Sequence, residues 1–78
     1  MNVKVEIVIE TPEGMRLGRL EQEHESLMRA ATKFRESLDR VGYVYIYTNN
    51  EITLLPSALV NQSVTRLRDM SADMDVPF

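Results

Sequence analysis

Residues 20–41, LEQEHESLMRAATKFRESLDRV, constrain the fold more than any other stretch of this chain. Leu20, Leu27, Met28, Ala31, Phe34, Leu38 and Val41 recur at three- and four-residue spacing, which is the signature of one helix face. Glu21, Glu23 and Glu25 would load the first turns with negative charge. Arg29, Lys33, Arg35 and Arg40 would load the second half with positive charge, so both ends suit the helix dipole. Gly42 stands where a left-handed C-cap residue belongs. At about 1.5 Å per residue the helix would run roughly 33 Å, enough to cross a small domain. It is therefore expected to be the scaffold.

The stretches around it read as strands. Val3, Val5, Ile7 and Ile9 alternate with Lys4, Glu6, Val8 and Glu10, a period of two rich in β-branched side chains. Thr11-Pro12-Glu13-Gly14 fits a type I turn closed by a left-handed glycine. The turn implies that residues 15–20 (MRLGRL) return as a second strand, with Met15 and Leu17 on the apolar face. A helix beginning at Leu17 is the rival reading. Gly18 would cost it about 1 kcal/mol, and no Ser, Thr, Asp or Asn caps a start before Leu17. The hairpin is preferred.

Beyond Gly42, residues 43–48 (YVYIYT) and 51–55 (EITLL) form a second period-two pair, joined by Asn49-Asn50. Pro56 is expected to end the last strand and open a second helix. Leu59, Val60, Val64, Leu67, Met70 and Met74 would give that helix its apolar stripe. The tail, residues 71–78, carries two acidic residues and a proline and is expected to fray. The predicted fold is α+β and a single domain over residues 1–78. It is a small single-layer antiparallel or mixed sheet of three to four strands, with two helices on one face, in the order β-β-α-β-β-α. If the rival helix start held, the order would be β-α-β-β-α, a ferredoxin-like pattern lacking its last strand.

Composition narrows the function classes. The chain has 78 residues, 44% apolar and 27% charged, which suits a small folded domain and not a disordered one. No cysteine is present, which excludes disulfides and thiolate chemistry. A core this small should supply only about 3–5 kcal/mol of net stability, so extra burial against a second copy is expected and a homodimer is predicted. No run of 18 apolar residues suggests a membrane span, and the alternating MNVKVEIVIE is unlike a signal peptide; a cytoplasmic protein without a membrane partner is expected. The net charge of −3 gives no footprint for nucleic acid.

Few reagents for catalysis exist. His24 is the sole histidine, so any Ser–His–acid triad would have to use it, from the middle of an acidic helix. Glu21-Gln22-Glu23-His24 has the Glu-x-x-His spacing of di-metal helix bundles, but those need a second such motif and more glutamates. Neither an enzyme, a metal nor a cofactor is predicted. Heptad spacing through Leu20, His24, Leu27, Ala31, Phe34, Leu38 and Val41 invites a coiled coil, yet His24, Ala31 and Phe34 suit packing on a sheet better.

The tyrosines are the most informative side chains. In a strand, Tyr43, Tyr45 and Tyr47 share the face opposite Val44 and Ile46. If the aliphatic pair joins Val3, Val5, Ile7 and Ile9 under the helices, the tyrosines lie on the open face, with Val8, Thr53 and Leu55 expected beside them. Tyrosine joins a large apolar ring to a hydroxyl and concentrates in interfaces. Sheet aromatics in a β-α-β-β-α order also suggest an RNA-recognition fold, but Asn50-Glu51-Ile52-Thr53-Leu54 lacks its Lys/Arg-Gly-Phe/Tyr signature.

The expected function is a small non-enzymatic protein–protein interaction module, of the kind by which a phage or mobile element binds and inhibits a host complex. Its partner-binding residues would be Tyr43, Tyr45, Tyr47 and Leu55, with acidic patches at Glu21, Glu25, Asp69 and Asp73. The alternative is a dimeric nucleic-acid-binding regulator, using a basic strip of Arg29, Lys33 and Arg40 on the long helix.

Overall fold

In a computed structural model, residues 1–73 are described, with side chains through Ser71. Over the described residues the chain is an α+β fold of five strands in two antiparallel sheets, and its first six elements follow the expected β-β-α-β-β-α order. β1 spans Val3–Glu10 and β2 spans Arg16–His24, paired from Val3↔His24 to Glu10↔Arg16. The turn between them forms as the sequence predicts. Gly14 adopts φ 98° and donates to the Thr11 carbonyl at 2.9 Å, while Thr11 Oγ1 accepts from the Met15 amide at 3.0 Å.

The central helix is shorter than its periodicity promised. α1 covers Leu27–Val41, and residues 20–24 belong to β2. An eight-residue β1 needs a partner along its whole length, and Leu20, Gln22 and His24 supply it opposite Ile7, Val5 and Val3. Ser26 then caps the helix, its hydroxyl accepting from the Arg29 amide at 3.1 Å. The far end follows the sequence reading: Gly42 sits at φ 89° and donates to the Leu38 carbonyl. The seven-residue rhythm through Leu20 and His24 is therefore no coiled-coil seam. Ala30, Phe34 and Leu38, each four residues apart, press α1 onto the sheets instead.

β3 (Tyr43–Thr48) and β4 (Glu51–Pro56) form the second sheet alone. The second helix is cut short as well. α2 occupies only Ser57–Asn61, and Ser63 folds back to donate to the Leu59 carbonyl at 2.8 Å. Val64–Asp69 is a strand, β5, antiparallel to β1, followed by a short turn of helix, α3, at Met70–Asp73. Val64 and Leu67 fit helical spacing, but Thr65, Leu67 and Asp69 alternate inward with Val64, Arg66 and Arg68 outward. A helix this short gains little by itself, whereas β5 completes the order β2-β1-β5. The stripe position expected at Met74 and the tail beyond it, residues 74–78, lie outside the described residues, while residues 71–73 belong to α3. Among the described residues, no helix is long and apolar enough to cross a membrane.

The core has two adjoining parts. Val5, Ile7 and Ala30 pack together at one end; Ile9, Leu38, Val44, Ile46, Leu55 and Val60 pack at the other. Leu20 and Phe34 touch both. Gly18 marks the join, because a Cβ there would stand 2.9 Å from Ile46 Cγ1 and 3.5 Å from Leu55 Cδ1. The hairpin thus rests its inner face directly on β2.

Candidate functional site: the outer face of the second hairpin

Each sheet has one face on the core and one turned to solvent, and the two solvent faces are built differently. On the three-stranded sheet, the outward side chains of β1 are Lys4, Glu6, Val8 and Glu10. Arg19, Glu21 and Glu23 flank them on β2, and Val64, Arg66 and Arg68 on β5. Opposite charges pair between the strands, although Glu6 itself stands opposite Glu21 in register. Glu6 lies between Arg19 and Arg68, the latter at 3.1 Å; Glu10 pairs with Arg66; and Glu21 pairs with Arg19 and, at 3.6 Å, with Lys4. Hydrogen bonds from Arg19 hold the Glu6 and Glu21 carboxyls below the ordinary glutamate range. Val8 stands between Arg19 and Arg66 in register and is only 9% exposed. Charged side chains cover most of this face, leaving Val64 47% exposed at its β5 edge.

The hairpin face differs. A two-residue turn pairs Thr48 with Glu51, which sets Tyr47 opposite Ile52, Tyr45 opposite Leu54 and Tyr43 opposite Pro56. Those six residues share the outward face, with no charged group among them. Tyr43, Tyr45, Tyr47, Ile52 and Leu54 are each between 44% and 68% exposed. Contiguous apolar surface of this kind marks an interaction site more often than a bare monomer surface.

The register corrects one expected site residue. Leu55 lies opposite Val44, faces the core and is 6% exposed, so it cannot meet a partner. Thr53, opposite Ile46, also turns inward, and Val8 belongs to the other sheet's outer face. The two-residue turn makes paired positions differ in parity, so odd-numbered tyrosines take even-numbered neighbours. Ile52, Leu54 and Pro56 are the residues missed, and counting across Asn49-Asn50 would have found them.

The acidic patches are not brought together as free charge. Glu21 is engaged as above, Glu25 pairs with Arg29 at 3.6 Å, and Asp69 accepts from the Ser71 amide at 2.9 Å, opening α3. Asp73 ends α3, and its side chain lies outside the described ones. Arg29, Lys33 and Arg40 do share one side of α1 by their spacing. Glu21 and His24 fall on opposite faces of β2, so the Glu-x-x-His pair does not converge; His24 Nε2 instead meets Gln22 Oε1 at 2.9 Å.

A cleft of about 1020 Å³ opens between β2 and β3 above α1, lined by Leu20, Phe34, Leu38 and Val44 on its apolar side and by Lys33 and His24 among its polar groups. It adjoins the tyrosines, which border it along β3. The fold thus defines a small α+β domain whose second hairpin leaves an apolar face uncovered. No protein-family model, curated protein or solved structure matches the chain.

Proposed function

We propose that this protein is a small non-enzymatic interaction module that binds a protein partner through the outer face of β3–β4. The observation that carries the reading is the contrast between the two solvent faces. One is dominated by its own ion pairs, while the other presents Tyr43, Tyr45, Tyr47, Ile52, Leu54 and Pro56 without a charge. Aromatic anchors flanked by aliphatic residues are what interface centres are made of. We place its action in the cytoplasm. Inhibition of a host complex by a phage or mobile-element protein is one task such a module performs.

Capture from an extract of the native source tests this reading. Wild-type protein should retain a partner that Tyr45→Glu and Leu54→Glu both lose while keeping the wild-type circular dichroism. Retention of the same partner by both variants would overturn it. The regulator reading rests on the shared side of Arg29, Lys33 and Arg40; it requires DNA or RNA binding that weakens steeply with added salt.

A further inference from the structure

We propose that the hairpin face takes a second copy of this chain, in a two-fold dimer that stacks one β3–β4 sheet on the other. This names the partner for the reading above and rests on it.

The face is arranged as two columns. Tyr43, Tyr45 and Tyr47 line β3, and Pro56, Leu54 and Ile52 line β4 at the paired positions. A two-fold axis lying between two stacked sheets, along the strand direction, sets each tyrosine column over the other copy's aliphatic column. Bulky rings then meet smaller side chains at every step, and the surface is complementary to itself, as an isologous interface demands. The tyrosine hydroxyls reach the rim, where water satisfies them.

Charge favours the same occupant. Each copy carries a net charge of −3, which opposes association through most of its surface. The six positions of the hairpin face carry none of that charge, so two copies meet there without bringing like charges into contact.

The area is also sufficient. Exposure is 47% at Tyr43, 44% at Tyr45, 68% at Tyr47, 58% at Ile52 and 51% at Leu54. With about 200 Å² for a fully exposed large side chain, each copy offers roughly 500–600 Å². Face-to-face contact would then bury about 1,000–1,200 Å² in total, at the lower bound for specific interfaces. A reversible dimer is expected, populated as concentration rises. A two-stranded sheet is also marginal with one face wet; stacking turns two of them into a four-stranded sandwich with both inner layers dry.

Sedimentation equilibrium from low micromolar to near-millimolar protein is the first arm of the test. Wild-type mass should climb from one copy to two, and Tyr45→Glu should raise the dimer dissociation constant by about 30-fold or more, the scale of a central interface residue. The second arm uses the absence of cysteine. Leu54→Cys should cross-link to a dimer with a bismaleimide matched to the ~10 Å spacing of stacked sheets, whereas Glu13→Cys, on the β1–β2 turn, should not. A chain that stays one copy throughout, or a dimer that Tyr45→Glu leaves intact and Leu54→Cys fails to trap, overturns the proposal. A monomer whose capture of another protein still depends on Tyr45 would sink the dimer alone. Indifference of both mass and capture to Tyr45→Glu would sink the interaction face as well.

Discussion

Gly18→Ala tests how the two sheets are joined. The backbone at Gly18 has no left-handed conformation to lose, so the substitution acts through space alone. The new methyl would sit 2.9 Å from Ile46 Cγ1 and 3.0 Å from Ile46 Cδ1, closer than carbon atoms approach. Ile46 is 5% exposed and held among Ile9, Leu38, Val44, Leu55 and Val60, so it cannot swing aside. Overpacking of this kind costs about 1–3 kcal/mol. Replacing glycine by alanine returns about 0.4–1 kcal/mol by restricting the unfolded chain. The net expectation is a loss of about 0.5–2 kcal/mol, a large part of the stability expected from so small a core. Urea unfolding followed by circular dichroism measures it. Ile46→Val removes the Cδ1 methyl, so Gly18→Ala should cost less in that background, with a coupling of about 0.5 kcal/mol or more. A neutral or stabilising Gly18→Ala would refute a direct contact between β2 and the hairpin, and strict additivity with Ile46→Val would remove the Cδ1 methyl from it.

The register of the hairpin predicts opposite behaviour for adjacent leucines: Leu55→Ala should cost about 2–5 kcal/mol in urea unfolding, while Leu54→Ala at low protein concentration should stay within about 0.5 kcal/mol of wild type. Acid should weaken the charged sheet face, because Arg19 holds Glu6 and Glu21 below the unfolded-chain value of 4.5. Groups lowered on folding contribute fully above that value and lose their contribution as pH falls through the lower folded one. Urea midpoints measured downward from pH 7 should therefore drop on the acid side of 4.5, and Arg19→Gln should flatten that drop; an unchanged acid slope would remove Arg19 from the account.

What the sequence discloses follows from how many periods a residue can serve. β1 and its turn were legible because eight alternating residues fit only one period, and Pro12 and Gly14 each suit one turn position. The end of α1 was legible because Gly42 is where a helix stops. Its beginning was not: Leu20 lies seven residues before Leu27 and so keeps helical phase, yet it also alternates with Arg19 and Glu21 as a strand. Pairing along the length of β1 decides between them, and that is a tertiary fact. Ser26 was the local clue, being a good N-cap immediately before Leu27. Residues 64–69 misled for the same reason, since Val60, Val64 and Leu67 fit a helix while β5 is selected by an open edge of β1. Within the site, the tyrosine side was legible from alternation alone. The aliphatic side required carrying parity through the turn, and Leu55 was misplaced by one residue.

Tyrosine fluorescence tests the central claim most directly. The chain has no tryptophan, and all three tyrosines stand on the outer face of β3, so intrinsic emission reports that face alone. Acrylamide quenching should be efficient in dilute protein, where the rings are about half exposed or more, and should fall as concentration rises and the faces close on one another. Quenching that stays equally efficient across the concentration range, in protein that remains folded, would contradict burial of the hairpin face between two copies.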